Sequence, residues 1–402
     1  MTRIALVTHG LAGGGGVPTI VRWLRDGLEA QGWTADVHDL ATSRADDASR
    51  RLASPSTWSR RSLCHLRELP VRHRHWGADA VEVEALRYRP RRELTAALRG
   101  YDLVQVVAGS PAWAAVATGC GRPVVLQVAT LAAWERAFAG PGSSAALRLW
   151  RRQMTRLTSR IETAALRAVD GVLVENDAML ARVHAAGQHR VVKSPPGVDT
   201  AVFVPAPGGW QRAGPLLTVC RLADPRKGLE LMVRAYARLV ARDPGVPPLI
   251  LAGFGALAPP VAELVVRLAL TERVRIRTDL TPDGLVRLYQ QASVFLQTSY
   301  EEGLGLAALE AMACGLPVVA TATDGARETV DDGVTGWLVE HRTAGLPAVL
   351  AERMAHALAG AGGPAGRRGR DRCVAEFSSA ACLRRFLAVY DAVRPRLPAG
   401  MP

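Results

Sequence analysis

Lysine is almost absent from this sequence. The 402 residues include 50 basic and 37 acidic residues, for a net charge of +13, yet only Lys193 and Lys227 are lysines. A general bias toward arginine explains most of this pattern. A lysine retained in such a chain is also expected where a compact ammonium is needed and a planar guanidinium does not fit. The excess charge attracts phosphates, nucleic acid or anionic lipid without choosing among them.

Cysteine pairs and nucleic-acid motifs are also missing. No C-x-x-C pair occurs, and histidine and cysteine never cluster at metal-ligand spacing, so we predict no metal site. There is no RNP-like aromatic strand and no basic heptad array, so we expect no nucleic-acid partner. We interpret the six cysteines as small buried hydrophobic side chains of a reducing compartment: Cys64, Cys120, Cys220, Cys314, Cys373 and Cys382.

Long apolar segments are lacking too. Residues 4–7 are too short a run for the hydrophobic part of a secretion signal. Residues 103–121 carry no charge, but Gln105, Gly109 and Pro111 interrupt them as a membrane-spanning helix. We therefore expect a cytoplasmic protein, and we leave open a peripheral contact with the inner face of an anionic membrane.

The sequence does contain a repeated alternation of strand and helix patterns. Residues 3–8 form an apolar run, residues 10–16 a glycine-rich loop, residues 18–31 a helical pattern and residues 34–40 a second strand. This order is half of a Rossmann unit. Residues 41–99 are less regular. Further strands are predicted at 103–107, 123–128, 171–175 and 190–193, with helices at 111–119 and 145–168.

A stretch rich in proline and glycine at residues 205–214 reads as a linker. A second strand-helix alternation starts at Leu216 and includes a predicted strand at residues 294–297 and a predicted helix at residues 306–313. We therefore predict an α/β protein made of two Rossmann-like, doubly wound domains that face each other across a cleft. The domains are predicted at residues 1–200 and 201–377, with a last helix in residues 378–402 that packs back on the first. Ligands of such folds bind at the carboxyl ends of the strands.

The most informative segment runs from Thr298 to Ala320, from a strand end into a helix. Gly303 and Gly305 allow the backbone to approach a ligand closely. A helix that starts here would direct backbone amides at an anion. Glu302 and Glu310 are eight residues apart, which on a helix rotates their side chains by only about 80°. Both carboxylates are then expected to reach one cleft and accept hydrogen bonds from a sugar or ribose diol.

A second segment supplies positive charge. Arg221 follows a predicted strand, and Lys227 precedes a predicted helix. Two cations near one strand end suit a diphosphate. Isolated glutamates are more often solvated helix charges, and it is this basic neighbourhood that favours a donor site.

These segments together resemble the GT4 family of retaining glycosyltransferases, which have the GT-B fold. The resemblance covers most of the chain, strongly in residues 216–340 and weakly in residues 41–160. It is carried by the following residues: Glu302 and Glu310 with Gly303, Ala311 and Met312; Arg221 with Lys227 and Gly228; Gly253, Phe254 and Gly255; Pro196 to Asp199 before Phe203; the glycine loop 13–16; and Ile161 and Glu162 before Asp170.

The resemblance implies a role for each matching residue. Arg221 and Lys227 would bind the donor diphosphate, Glu310 the ribose, and Glu302 with the backbone of residues 303–306 the sugar and distal phosphate. The catalytic residues would be Glu302, Arg221 and Lys227. The donor-binding residues would be Gly14, Gly15, Arg221, Lys227, Glu302, Gly303, Leu304, Gly305, Leu306 and Glu310. The first domain would bind a hydroxyl acceptor, UDP-sugar is favoured over GDP-sugar, and neither a metal nor another cofactor is expected.

One departure from the family pattern keeps a second function open. Many members carry a histidine after the strand at residues 123–128, and this chain has none there. A binding or regulatory subunit with this fold and no turnover is therefore the alternative. A nicotinamide oxidoreductase, suggested by the glycine loop with Asp36 or Asp39, fits G-x-G-x-x-G poorly in spacing.

Two features of the first half have alternative readings. His9 beside the glycine loop is interpreted as a strand-end residue rather than a catalyst. The arginines of residues 148–167 read as a solvated helix face, or alternatively as a surface for anionic lipid with Trp134 and Trp150 as interfacial anchors.

Overall fold

The structure is a computed structural model that describes residues 1–12, 15–60, 63–68, 70–137, 144–278 and 280–394. The chain divides into two compact units. The first contains Met1–Ala137, the described residues from 144 to Pro195, and the end of the chain from Leu383. The second is formed by Pro196–Cys382. Gly13 and Gly14, which belong to the predicted glycine loop, lie outside the described residues.

The first unit is built on an eight-stranded sheet in the order β3-β4-β2-β1-β5-β6-β7-β8. All neighbouring strands are parallel except β3, which runs antiparallel to β4. Its strands and helices are β1 Arg3–His9, α1 Gly16–Ala30, β2 Thr34–Leu40, β3 Cys64–Arg67, β4 His73–Trp76, α2 Glu84–Arg87, α3 Arg92–Leu98, β5 Leu103–Ala108, β6 Val124–Val128, α4 Ala132–Arg136, α5 Ala145–Ala168, β7 Gly171–Val174, α6 Asp177–Ala185 and β8 Val191–Lys193.

The central strands of this sheet follow the hydrophobic pattern of the sequence. All six residues of β5 and all five of β6 are buried, as expected for parallel strands covered on both faces. Helix α1 packs through Ile20, Val21, Leu24 and Leu28, which recur at helical spacing. The segment predicted as a helix at residues 111–119 is instead a short 3-10 helix, Pro111–Val116, begun by a side-chain cap from Ser110.

The second unit has a six-stranded sheet in the order β11-β10-β9-β12-β13-β14, with every pair parallel. Its elements are β9 Leu216–Arg221, α7 Leu229–Arg242, β10 Leu249–Phe254, α8 Pro259–Arg267, β11 Val274–Arg277, α9 Pro282–Gln291, β12 Val294–Gln297, α10 Leu306–Ala313, β13 Val318–Thr321, α11 Asp324–Thr329, β14 Gly336–Val339, α12 Leu346–His356 and α13 Gly362–Glu376.

The strand order of this sheet reverses direction between β9 and β12. The chain first adds β10 and β11 on one side of β9, and then adds β12, β13 and β14 on the other. In open parallel sheets such a switch point leaves a crevice at the carboxyl ends of the two central strands, where ligands bind. Arg221 ends β9, and the segment of Glu302 follows β12, so both predicted charge groups flank this position.

The last helix, α14 (Ser379–Val393), contributes to the first unit from Leu383 onward. Phe386 packs edge-on against Trp23, with ring centroids 5.3 Å apart. A Cβ placed on Gly27 would lie 3.0 Å from Leu383, so the absence of a side chain at Gly27 lets α14 approach α1 closely.

Candidate donor-binding site

The turn after β9 positions the two predicted cations, Arg221 and Lys227. Asp224 caps the 3-10 helix Pro225–Lys227 by accepting the Arg226 amide at 3.0 Å, and it also pairs with the Arg221 guanidinium at 2.6 Å. Burial acts to raise the pKa of Asp224, but hydrogen bonding and the charge of Arg226 outweigh it and hold that pKa below its usual value. Arg221 is therefore already partnered by a carboxylate that the sequence reasoning had not selected.

The backbone turns at Gly228 so that Lys227 faces the segment after β12. Gly228 has φ 61°, and a Cβ there would lie 2.1 Å from the Thr298 carbonyl oxygen, so only glycine fits. Thr298 Oγ1 donates to the Gly228 carbonyl at 3.0 Å, and the Tyr300 amide donates to the Arg226 carbonyl at 2.7 Å. These bonds join the β9 turn to the loop that carries Glu302.

Lys227 and Glu302 meet directly. Lys227 Nζ lies 2.6 Å from Glu302 Oε2, and the two side chains are only 16% and 18% exposed. The same oxygen accepts a hydrogen bond from Ser299 Oγ at 3.1 Å, and the Glu302 carbonyl accepts the Gly325 amide at 3.0 Å. Two residues 75 positions apart, predicted to share one site, are thus in contact.

Helix α10 begins beside this pair. Its cap, Gly305, has φ 90°, and a Cβ there would lie 2.9 Å from the side chain of Gln297 at the end of β12. The glycine is therefore required both by its backbone conformation and by the close approach of β12. The helix starts at Leu306, as the sequence predicted, and its first amides lie at the end that favours an anion.

Glu310 lies in α10 and faces α9 rather than open solvent. Its Oε2 accepts a hydrogen bond from the Tyr289 hydroxyl at 2.8 Å. Burial raises the pKa of Glu310 to about 7, although the Tyr289 hydrogen bond opposes the shift. The sequence had suggested an ordinary ionised carboxylate, whereas the folded chain gives this group a titration near neutral pH.

Cys220, which is half-buried, lies one residue before Arg221 in β9. Burial raises the pKa of Cys220 to about 12, and its thiol also feels the charges of Lys227 and Glu302. Burial likewise raises the pKa of Tyr289, the partner of Glu310, and Cys220 lies within electrostatic reach of that phenol. Tyr289, Leu304 and Leu309 pack in one hydrophobic cluster, which joins the partner of Glu310 to the segment that carries Glu302.

In the first unit, the corresponding strand ends present His9 and Gly109. The Gly109 amide donates to His9 Nε2 at 3.4 Å, and the imidazole stacks on Trp113 with ring centroids 4.6 Å apart. Burial lowers the pKa of His9 to about 4, so this imidazole is neutral at physiological pH. Of the predicted donor-binding glycines, Gly15 caps α1, and Gly14 lies outside the described residues.

Sequence reasoning missed a buried ionic network next to the glycine loop. His75 lies between Asp39, 2.7 Å away, and Asp46, 2.6 Å away, and Asp39 also accepts the Leu11 amide at 3.0 Å. The register of β2 against β4 pairs Asp39 with His75. Burial lowers the pKa of His75, but its hydrogen bonds to both carboxylates outweigh this effect and raise the pKa to about 9.

This network also places potential metal ligands together, in contrast to their wide spacing in the sequence. Within the described ranges, two groups of ligand atoms come within 4.8 Å of one another: Asp39, His73 and His75, and Asp46, Asp47 and His75. Both groups need His75. The His75 ring nitrogens lie 2.7 Å from Asp39 Oδ2 and 2.6 Å from Asp46 Oδ2.

The matching family model and the curated relatives are all glycosyltransferases. Residues 214–360 match the family model described as Glycosyl transferases group 1. The chain is 34% identical over 197 residues to D-inositol 3-phosphate glycosyltransferase of Nocardia farcinica, covering 44% of each chain. It is 35% identical over 226 residues to the enzyme of that name from Geodermatophilus obscurus, covering 49% of each. The matches thus span about half the length of these curated relatives.

Solved structures match over nearly the whole chain. Sucrose-phosphate synthase from Thermosynechococcus elongatus superposes with a TM-score of 0.73 at 23% identity, over 98% of this chain and 99% of that one. HepE of Anabaena, solved in complex with UDP-glucose, superposes with a TM-score of 0.70 at 18% identity, over 98% of this chain and 100% of that one.

Two parallel-sheet units with these neighbours define a GT-B fold. The family model, over residues 214–360, and the curated relatives, over about half of the chain, show that this part of the chain is similar to glycosyltransferases.

Proposed function

We propose that this protein transfers a sugar from a nucleoside diphosphate donor to a hydroxyl group of a small molecule, lipid or glycan. The contact of Lys227 with Glu302, next to Arg221 at the switch point of the second sheet, is the observation that carries this proposal. A UDP-sugar is the favoured donor, and a GDP-sugar is the next candidate. The HepE structures, which hold UDP or UDP-glucose, support this choice.

The paired charges suggest how the donor would be held. Each cation already has a carboxylate partner, Asp224 for Arg221 and Glu302 for Lys227. A diphosphate carries more charge than one carboxylate and would draw both cations, while the amides at the start of α10 take the distal phosphate. Glu302, released from Lys227, would then accept hydrogen bonds from the sugar, and Glu310 from the ribose.

The transfer would keep the configuration of the sugar. The bond from the anomeric carbon to the leaving phosphate oxygen breaks, and the acceptor oxygen bonds to that carbon on the same face. The acceptor proton passes to the departing phosphate. Arg221, Lys227 and the amides of α10 would stabilise the negative charge that develops on the diphosphate, without requiring a metal ion. Unchanged turnover in EDTA is the expected result.

The alternative function is that of a non-catalytic subunit that binds a nucleotide sugar. It is favoured by the end of β6, where Val128 leads to Ala129 and Thr130 rather than to the histidine of many relatives. Such a subunit would bind the nucleotide but show no turnover with any donor and acceptor.

The two functions are separated by one set of measurements. Calorimetry with UDP, GDP and ADP reports binding, and release of the free nucleotide from a panel of donors reports turnover. R221Q and E302Q are compared with R242Q and E352Q, because Arg242 and Glu352 form an exposed pair at 3.2 Å in the same unit. Loss of turnover in the first pair only supports the proposal, whereas wild-type protein that binds none of the nucleotides would overturn both functions.

A further inference from the structure

The first half of helix α5 projects from the core of its unit. Residues 144–153 are all exposed, whereas Thr158, Glu162, Ala165 and Leu166 in the second half are buried. Helix α5 has 24 residues, and only its second half packs on the core. The core therefore does not account for the exposed first half.

The exposed part carries an apolar stripe. Leu147, Trp150 and Leu157 lie on one face, because they are separated by three and seven residues. Their side chains are 41%, 53% and 38% exposed. Farther along the same face, Ile161 packs against the hydrophobic core. The stripe is therefore a continuation of the buried face of α5 into solvent, with no part of the described chain covering it fully.

Arginines flank this stripe. Residues 144–161 contain five arginines and no aspartate or glutamate: Arg148, Arg151, Arg152, Arg156 and Arg160. An apolar stripe with a tryptophan, bordered by cations with long aliphatic stems, is the composition of helices that lie in the headgroup layer of a bilayer. Trp134, the second anchor that the sequence suggested, instead packs against the core.

We propose that the exposed half of α5 docks this protein on a phospholipid surface rich in anionic headgroups. Leu147, Trp150 and Leu157 would enter the boundary between headgroups and acyl chains, and the arginines would contact the phosphates. The charge of this segment favours an anionic surface over a second copy of the chain, because the second copy would bring its own five arginines close to these five and the two sets would repel each other. No helix in the described ranges is long and apolar enough to cross a membrane.

Vesicle flotation tests this proposal without any donor or acceptor, so that its outcome does not depend on the proposed enzymatic function. The full chain is mixed with vesicles of phosphatidylcholine alone, or with 30% phosphatidylglycerol. We expect binding to the anionic vesicles only, with affinity that falls as salt is raised.

Two pairs of matched variants separate charge from apolar contact. R151Q/R152Q/R156Q should weaken binding about a hundredfold, since each basic residue near an anionic surface contributes about fivefold. The control R22Q/R89Q/R92Q removes the same charge from exposed positions of the same unit and should change binding far less. L147S/W150S should weaken binding about tenfold or more, whereas L52S/W58S, at positions 54% and 58% exposed, should not.

Three results would overturn the proposal. The first is no binding to anionic vesicles by folded wild-type protein. The second is equal weakening by R151Q/R152Q/R156Q and by its control, which would mean that net charge alone acts. The third is a dimer in solution that L147S/W150S converts to a monomer, which would assign the stripe to a second copy of the chain.

Discussion

The pairing of Lys227 with Glu302 makes an unusual prediction about nucleotide binding. Glu302 already pairs with the ammonium group of Lys227 that the diphosphate would need. Removing Lys227 and removing the charge of Glu302 should therefore have opposite effects on the affinity for UDP. In K227M the protein loses a charge-assisted contact to phosphate, which is worth about 1.5–3 kcal/mol, or about 10- to 150-fold in Kd. In E302Q the competing charge is removed, so UDP should bind as tightly as to wild type or more tightly, while turnover is lost.

The same pair predicts a thermodynamic coupling. Lys227 and Glu302 are 16% and 18% exposed, and Ser299 Oγ at 3.1 Å is a further partner of the Glu302 oxygen. Removing Lys227 alone leaves a half-buried carboxylate poorly compensated, at a cost of about 1–3 kcal/mol in the free energy of unfolding. Denaturation of K227M, E302Q and the double variant should therefore show non-additive losses, with the double variant less destabilised than the sum of the single variants.

Calorimetry with UDP at pH 8 and urea denaturation provide both readouts. The reasoning is refuted if E302Q weakens UDP binding as much as K227M does, because Glu302 would then be a ligand of the nucleotide rather than a competitor for Lys227. Additive destabilisation in the double variant would equally show that the contact contributes nothing in solution.

Three further predictions concern titrating and exposed groups. Because the pKa of Glu310 lies at about 7, its carboxylate forms as the pH rises. The UDP phosphate also titrates near pH 6, so UDP affinity should rise from pH 6 to 8 in both proteins, and more steeply in wild type than in E310Q. The pKa of His75 is raised from 6.5 to about 9, so its contribution to stability is complete below pH 6.5 and is lost as the pH rises through 9. Urea denaturation should show the free energy of unfolding of wild type falling over this window by up to about 3 kcal/mol. H75N should lack this decline. Phe254 is 62% exposed at the end of β10 and is paired in register with Arg221, so we expect its ring to stack on the nucleoside. F254A should then weaken UDP binding about tenfold in calorimetry, and F254Y should restore it. Equal affinities for the two variants would exclude stacking.

The strands and helices of the second unit could be predicted because the residues that determine their bounds are close together in the sequence. The strand Val294–Gln297 and the helix Leu306–Ala313 have the predicted bounds, since a run of apolar residues ends at a polar loop and Gly305 starts the helix. The contact of Lys227 with Glu302 could be expected for the same reason, because both residues follow strands that meet at the switch point.

The region of residues 41–99 could not be read in this way. The strand His73–Trp76 consists of HRHW, in which hydrophobic alternation is absent. Its inward-facing His75 is buried only because Asp39 and Asp46, 36 and 29 residues away, satisfy both ring nitrogens. A buried polar strand is stabilised by partners distant in sequence, and periodicity carries no information about them.

The charge partners at the candidate donor site could not be predicted for a related reason. Asp224 is close to Arg221 in sequence, but its dual role as a cap and as an ion-pair partner depends on the 3-10 turn at Pro225. Tyr289 reaches Glu310 only because α9 packs beside α10. The pKa of Glu310 near neutrality follows from this burial and has no signature in the sequence.

A structure of the protein with UDP would show directly which residues hold the diphosphate. The proposal predicts that Lys227 Nζ leaves Glu302 and lies within hydrogen-bonding distance of the distal phosphate, with the amides of Gly305 and Leu306 on the same phosphate and Arg221 alongside. A diphosphate bound elsewhere, with Lys227 still on Glu302, would contradict it.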